Sequence, residues 1–300
     1  MLGRRLASAA VIISVVIGLM IGDYHLGTES GLGRPGLILG ALAIIVAMMS
    51  CHELIHLARQ HFPRLNLSYH LLVSGVAVAL CCAPILWKDY PVDCAIGLFG
   101  WQMMALTWAA GMTSLIEILT YSEDGKGTAR SGCSIMIHVQ IVLLMGFLIA
   151  HRLLFGENLT GIFAMVTLIT TVKMSDAGAY FAGKSLGKHK LAPKLSPGKT
   201  IEGCFGSIAG ALAGSSIVLC IVNPLLFKSE LSFPIWWIVV YSLLTTVAGI
   251  IGDLTESMLK RDAKIKDSSS WLPGLGGVLD VTDSLVLAAP VSYFMWVLLK

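Results

Sequence analysis

The feature that most constrains this chain is the recurrence of apolar stretches long enough to cross a bilayer. A helix needs about 20 mainly apolar residues for that. Such stretches fall at 7–22, 36–58, 67–87, 92–119, 132–151, 159–183, 201–226, 233–255 and 278–299. They predict an all-α, polytopic integral membrane protein of about nine transmembrane helices, the first short and the fourth long. Composition agrees: the 300 residues are 56% hydrophobic and only 13% charged, with a mean hydropathy of +0.80, whereas soluble domains carry about 25% charged residues. So apolar a chain cannot stay solvated as a disordered segment. A net charge of +3 excludes a strongly basic nucleic-acid binder.

The positive-inside rule orients the spans. Of the 21 Lys and Arg residues, fifteen fall in loops on the N-terminal side, from Arg4 and Arg5 through the 184–199 loop to Lys260, Arg261, Lys264 and Lys266. Arg34, Lys88, Arg152, Lys228 and Lys300 fall on the other side, and Lys173 lies inside a span. This bias places the N-terminus in the cytoplasm and the C-terminus outside. The first apolar run reads as an uncleaved helix, since no small-residue cleavage site follows it. Cys51, Cys81, Cys82, Cys94, Cys133, Cys204 and Cys220 form no CxxC pair and mostly sit in apolar stretches, so they read as small packing residues.

Charge at membrane depth is expensive, about 2.5–3.5 kcal/mol for Asp at a helix centre on insertion scales. Asp176, Glu202, Asp253, Glu256, Asp280 and Asp283 nevertheless gather near the cytoplasmic ends of the last four spans, beside the polar loops 184–200 and 260–277. Polybasic loops often only balance anionic lipid, which accounts for single lysines between 184 and 194. It does not account for the acids, which anionic headgroups repel. Carboxylates bind Mg²⁺, and Lys and Arg neutralise phosphate oxygens. In the segment from Ser257 to Ser284, SMLKRDAKIKDSSSWLPGLGGVLDVTDS, a Pro-Gly-rich turn lets backbone approach a ligand closely. Asp280 and Asp283, three apart, share one helical face.

This segment resembles the signature of the phosphatidate cytidylyltransferase (CDP-diacylglycerol synthase) family. Ser257, Lys260, Arg261, Lys266, Asp267, Pro273, Gly274, Gly276, Gly277, Asp280, Asp283 and Ser284 match its spacing. A second block from Ser175 to Gly203, SDAGAYFAGKSLGKHKLAPKLSPGKTIEG, resembles the family's Asp-x-Gly-Ala-Tyr segment and its Ser-Pro-x-Lys-Thr-x-Glu-Gly loop. The departures are Leu275 where the family has a turn His, and Val281 where an Arg follows the metal-binding Asp.

The resemblance implies a nucleotidyltransferase acting on CTP and membrane phosphatidate, and it allows a homodimer. It implies Mg²⁺ at Asp253, Asp280 and Asp283, with room for a second cation. Lys260, Arg261 and Lys266 would neutralise developing charge. Asp176, Ser196, Lys199, Thr200, Glu202 and Asp267 would bind substrate or organise its loop. Residues 1–150 then read as a transmembrane scaffold and 151–300 as the catalytic region, in the cell's inner membrane with the site facing the cytoplasm.

Other patterns compete. His52-Glu53-Leu54-Ile55-His56 matches the HExxH of zinc proteases, but no segment clearly supplies a third ligand. Glu53 also resembles an acid the family often has there. Gly198-Lys199-Thr200 resembles the end of a P-loop, yet Pro193 stands where its first glycine belongs and no strand is expected before it. Glu117 reads as facing the cytoplasm, and Trp236, Trp237 and Trp271 as interface anchors. Met48, Met49, Met103 and Met104 read as packing or lipid-facing residues. A transporter or non-catalytic lipid-binding paralogue, with Lys173 pairing an intramembrane acid, is disfavoured because the charge gathers at one face and no repeat is visible.

Overall fold

A computed structural model describes residues 2–28, 33–87, 90, 96–122, 125–228 and 231–299, with side chains from residue 7 onward. Cys94, Lys88 and Lys300, and the side chains of Arg4 and Arg5, lie outside the described residues. The chain is built almost wholly from helices: α1 (Leu2–Thr28), α2 (Leu37–Ala58), α3 (Leu67–Cys81), α4 (Ala83–Leu86), α5 (Gly97–Leu119), α6 (Gly127–Ile141), α7 (Phe147–Arg152), α8 (Asn158–Leu186), α9 (Ile201–Ser216), α10 (Ile235–Asp262) and α11 (Val278–Val297). Within the described residues the expected spans fall on helix, with π-helical stretches Val142–Gly146 joining α6 to α7 and Ile217–Phe227 extending α9. Among the described residues seven such continuous helical stretches are long and apolar enough to cross a membrane. The other two expected spans differ for local reasons. The segment 67–87 breaks at Cys82, after which Pro84 starts the short α4. The 23-residue α5 is long enough but carries Gln102, Glu117 and several Gly, Ser and Thr residues.

The first helix is not short. It runs on past Gly22 because Asp23, fully buried, has partners at the far end of the bundle. Asp23 accepts hydrogen bonds from Arg152 Nε (2.6 Å) and from the backbone N–H groups of Gly36 (2.9 Å), Ile38 (2.9 Å) and Leu39 (3.2 Å). The carboxylate thus caps α2 from a neighbouring helix. Arg152 also donates to the Asn158 carbonyl (2.9 Å) and to Asn158 Oδ1. It is therefore a buried structural cation rather than a loop charge.

The core is apolar and aromatic. Trp237 is 1% exposed, stacks on Tyr241 and donates to the Met295 carbonyl at 3.1 Å. It is a core residue, not an interface anchor, whereas its neighbour Trp236 is exposed. Polar groups pair within the bundle: His138 lies 3.1 Å from His70 and 3.0 Å from Ser74. Cys51, Cys81 and Cys82 are buried free thiols.

Two close helix approaches set the position of the acids. Along α8 and α9 the backbones touch: a Cβ on Gly210 would meet the Met174 carbonyl at 2.1 Å, and one on Gly206 would meet the Gly178 carbonyl at 2.5 Å. Small residues at four-residue spacing permit such contact between membrane helices. Between α10 and α11, a Cβ on Gly252 would sit 2.5 Å from the Asp283 carbonyl, so Asp253 is pressed towards Asp283. The loop between α8 and α9, expected without strands, folds into an antiparallel hairpin of β1 (Lys190–Ala192) and β2 (Ser196–Thr200).

Candidate active site

Residues 171–179 of α8, residues 245–253 of α10, Ser284 of α11 and the start of α9 meet around an open cleft, lined by Asp176, Lys199, Thr200, Ser207, Asp253 and Ser284 among others. Thr200 caps α9 by accepting from the Gly203 N–H at 3.1 Å. This fixes the strand that presents Lys199, whose ammonium lies 2.6 Å from Asp253 Oδ2. Glu202 accepts from the backbone N–H of Lys188 (3.0 Å) and lies 2.6 Å from His189 Nδ1. It organises the loop rather than lining the cleft. Arg261 Nε donates to the Leu195 carbonyl at 3.0 Å, tying the hairpin tip to the end of α10.

Asp176, Asp253 and Asp283 form one acidic group. Ser284 Oγ donates to both Asp176 Oδ1 (3.3 Å) and Asp283 Oδ1 (3.0 Å), and Asp253 and Asp283 repel one another electrostatically. Lys173, one turn from Asp176 on α8, is 3.3 Å from that carboxylate and donates to the Val281 carbonyl at 2.9 Å.

Asp280 serves different partners. Its Oδ2 accepts from Gly277 N (2.8 Å), Ser268 N (2.9 Å) and Ser268 Oγ (2.9 Å), and its Oδ1 pairs with Lys260 at 2.7 Å. Lys260 also lies 3.0 Å from Glu256, a buried carboxylate that accepts no well-directed hydrogen bond. The expected metal set of Asp253, Asp280 and Asp283 is thus split. Asp280 lies at N3 of α11, where it folds back onto the helix's own first N–H groups. Among the described residues no three Asp, Glu, His or Cys side chains form a ready ligand set. The donor chemistry itself suits Mg²⁺, which takes carboxylate and phosphate oxygens: Glu256 is under-satisfied, and Asp280 and Asp283 both act on it electrostatically. Lys266 and Asp267 are exposed on the loop after α10, and Ser196 is half-buried in β2.

Glu53 carries a role its pattern hides. It is 1% exposed. It accepts from Ser268 Oγ (2.9 Å), Ser269 Oγ (2.6 Å) and the backbone N–H of Val278 (2.9 Å) and Leu279 (2.9 Å). A carboxylate so engaged caps α11 and has no lone pair left to act as the general base of a protease. His52 packs against Trp271 instead. Gly277 is required here, since a Cβ would lie 2.0 Å from Ser268 Oγ and 2.5 Å from both Glu53 oxygens. Glu117 is likewise spoken for, held by Arg130 at 2.8 Å.

The sequence pattern of the Cytidylyltransferase family matches residues 4–299. The chain belongs to this family. It is 30% identical over 259 residues to a phosphatidate cytidylyltransferase of Chlamydia muridarum, covering 85% of this chain and 82% of that protein. It is 43% identical over 140 residues to the Haemophilus influenzae protein of the same name, 46% of this chain and 48% of that one. Against the phosphatidate cytidylyltransferase of Bacillus subtilis it is 37% identical over 185 residues, 61% and 65% of the two chains. Within this cytidylyltransferase, the acids and Lys199 occupy the two blocks that carried the resemblance. Glu53 and Lys173 were not among the expected site residues; their partners on α11 and the turn before it lie far away in sequence.

Proposed function

We propose that this chain transfers a cytidylyl group from CTP to phosphatidate, giving CDP-diacylglycerol and pyrophosphate, as a step of phospholipid synthesis. The observation that carries the reading is the meeting of Asp176, Asp253 and Asp283 with Lys199 at one cleft between the helices of a multi-pass membrane protein. A lipid phosphate arrives at that depth already ionised, because the second pKa of a phosphate monoester is near 6. Its oxygen attacks the α-phosphorus of CTP, the bond to the bridging oxygen breaks, and pyrophosphate leaves with that electron pair. No strong base is needed, so the protein's work is alignment and charge stabilisation.

Lys199 binds the triphosphate from the cleft floor. Arg261 and Lys260 hold the hairpin and the start of α11 against it. Glu53 fixes the turn that carries Asp280. Asp253, Asp283 and Asp280, with Glu256, would hold Mg²⁺, which when bound neutralises charge on the reacting phosphates. Ser196 in β2 and Lys266 and Asp267 on the exposed loop after α10 would contact the nucleotide. In this proposal residues 151–300 supply the reacting groups and residues 1–150 the scaffold, apart from Glu53. The excess of Lys and Arg on the site's side supports an inner-membrane protein with its site facing the cytoplasm. A homodimer completes the proposal, to be checked by crosslinking in native membranes.

The test is incorporation of radiolabelled CTP into lipid by purified protein, with and without Mg²⁺, across several lipid phosphates. Label in CDP-diacylglycerol that depends on phosphatidate is expected. Strict preference for another acceptor overturns the substrate assignment.

A further inference from the structure

The mechanism above leaves the charge of Lys173 unused. Lys173 lies inside the 29-residue α8, one turn before Asp176. Yet its side chain is 42% exposed. A bare ammonium exposed on a membrane-spanning helix is strongly disfavoured. Lysine has three N–H donors. Here Asp176 and the Val281 carbonyl take two, which leaves a third for the exposed side.

Position adds a second argument. Val281 stands where the motif this segment resembles has an arginine, and the Lys173 ammonium bonds the carbonyl of that same residue. A cation is therefore still delivered to the second turn-forming position of α11, from α8 rather than from α11 itself. Lys173 does not line the cleft that holds Lys199 and Asp253. The acidic group of Asp176, Asp253 and Asp283 thus has one cation in the cleft, Lys199, and another outside it, Lys173.

We infer that Lys173 is the lipid-side phosphate ligand: it receives the phosphate monoester of an acceptor entering laterally from the bilayer and holds it beside the acids, replacing the arginine absent at 281. This rests on the proposed function above for the identity of the acceptor. The opposing possibility is that Lys173 only neutralises Asp176 and Asp283.

The experiment compares wild type, Lys173→Met, Lys173→Arg and the double variant Lys173→Met/Val281→Arg in detergent–phosphatidate mixed micelles. Initial rates are measured against phosphatidate surface concentration and, separately, against CTP. Lys173→Met is expected to raise the KM for phosphatidate about ten-fold or more, the weight of one charge-assisted hydrogen bond, while the KM for CTP stays within about two-fold. Lys173→Arg should restore most of the lipid KM, and so should Val281→Arg in the Lys173→Met background. Equal rises in both KM values, or an unchanged lipid KM, overturn the inference; so does a double variant with no recovery. Equilibrium binding of phosphatidate-containing vesicles to the same proteins needs no turnover. If wild type makes no CDP-lipid but binds such vesicles more tightly than Lys173→Met, the reaction assignment falls and the phosphate site stands; equal binding removes the site.

Discussion

Two charge clusters sit at opposite ends of this bundle, one buried and one open to a cleft, and they are built differently. At the far end Asp23 and Arg152 are both fully buried: the carboxylate accepts three backbone N–H groups and the guanidinium, and the guanidinium also donates to the backbone and side chain of Asn158. At the near end Asp176, Asp253 and Asp283 crowd together with only Lys173, Lys199, Ser257 and Ser284 as side-chain partners, and Glu256 has only the Lys260 ammonium, at 3.0 Å. Burying charge is tolerated where every lone pair is met. Where it is not met, the deficit calls for a ligand. The first cluster is architecture and the second is a site, although both are Asp beside a cation.

The largest effect expected separates them directly. Asp253→Asn removes one of the repelling acids without creating a void, so the protein folds as before. CDP-lipid formation should fall at least about 10³-fold, the scale of losing a principal electrostatic contributor to a transition state. Steady-state rates alongside a thermal midpoint check this, and near-wild-type rates would remove Asp253 from the site. The mirror experiment is Asp23→Asn, which leaves Arg152 buried against a neutral partner. A cost of about 3 kcal/mol in stability is expected, with specific activity of the folded fraction unchanged. If Asp23→Asn instead lowers activity at constant stability, the distinction between the two ends fails.

Glu53 tests the boundary between these classes, because it is saturated like Asp23 yet belongs to the near end. Glu53→Gln keeps the shape but loses the charge that faces the first N–H groups of α11. A cost of about 2 kcal/mol is expected, together with a fall in activity, because the same carboxylate holds Ser268 and hence the turn before Asp280. Protection of the amides of Val278 and Leu279 from hydrogen exchange should drop. Unchanged protection would contradict the capping role.

How much of this was legible beforehand follows from the range of the interactions. Hydropathy located the spans because each is a local sum. The acids at helix ends stood out because carboxylates are rare at such depth. The full length of α1 was not legible, since the partner that lets Asp23 continue the helix is Arg152, 129 residues away. Glu53 looked like part of a zinc motif because its neighbours at 52 and 56 are histidines, while its partners lie 215 to 226 residues on. Trp236 and Trp237 have the same local pattern, and only helix rotation decides that one is buried. The hairpin before α9 lacks strand alternation; Glu202 and Thr200 close it after the chain has turned back.

The smallest effect concerns the two departures from the family motif, and it divides them. Leu275 sits between Gly274 and Gly276, both at positive φ, in the turn whose backbone faces the loop held by Glu53. The Ser8 hydroxyl donates to the Pro273 carbonyl on one side of that turn but leaves position 275 itself with an apolar side chain, so Leu275→His should raise the rate, by about three- to ten-fold for one added hydrogen bond. Val281 is different, because Lys173 already brings a cation to its carbonyl. Val281→Arg alone should therefore change the rate by less than about two-fold, since a second cation there competes with the first for Asp176 and Asp283. Rates for the two single variants and their combination, at saturating CTP, make the comparison. A large gain from Val281→Arg with none from Leu275→His would mean that the position left short of charge is α11 itself and that Lys173 does not stand in for it.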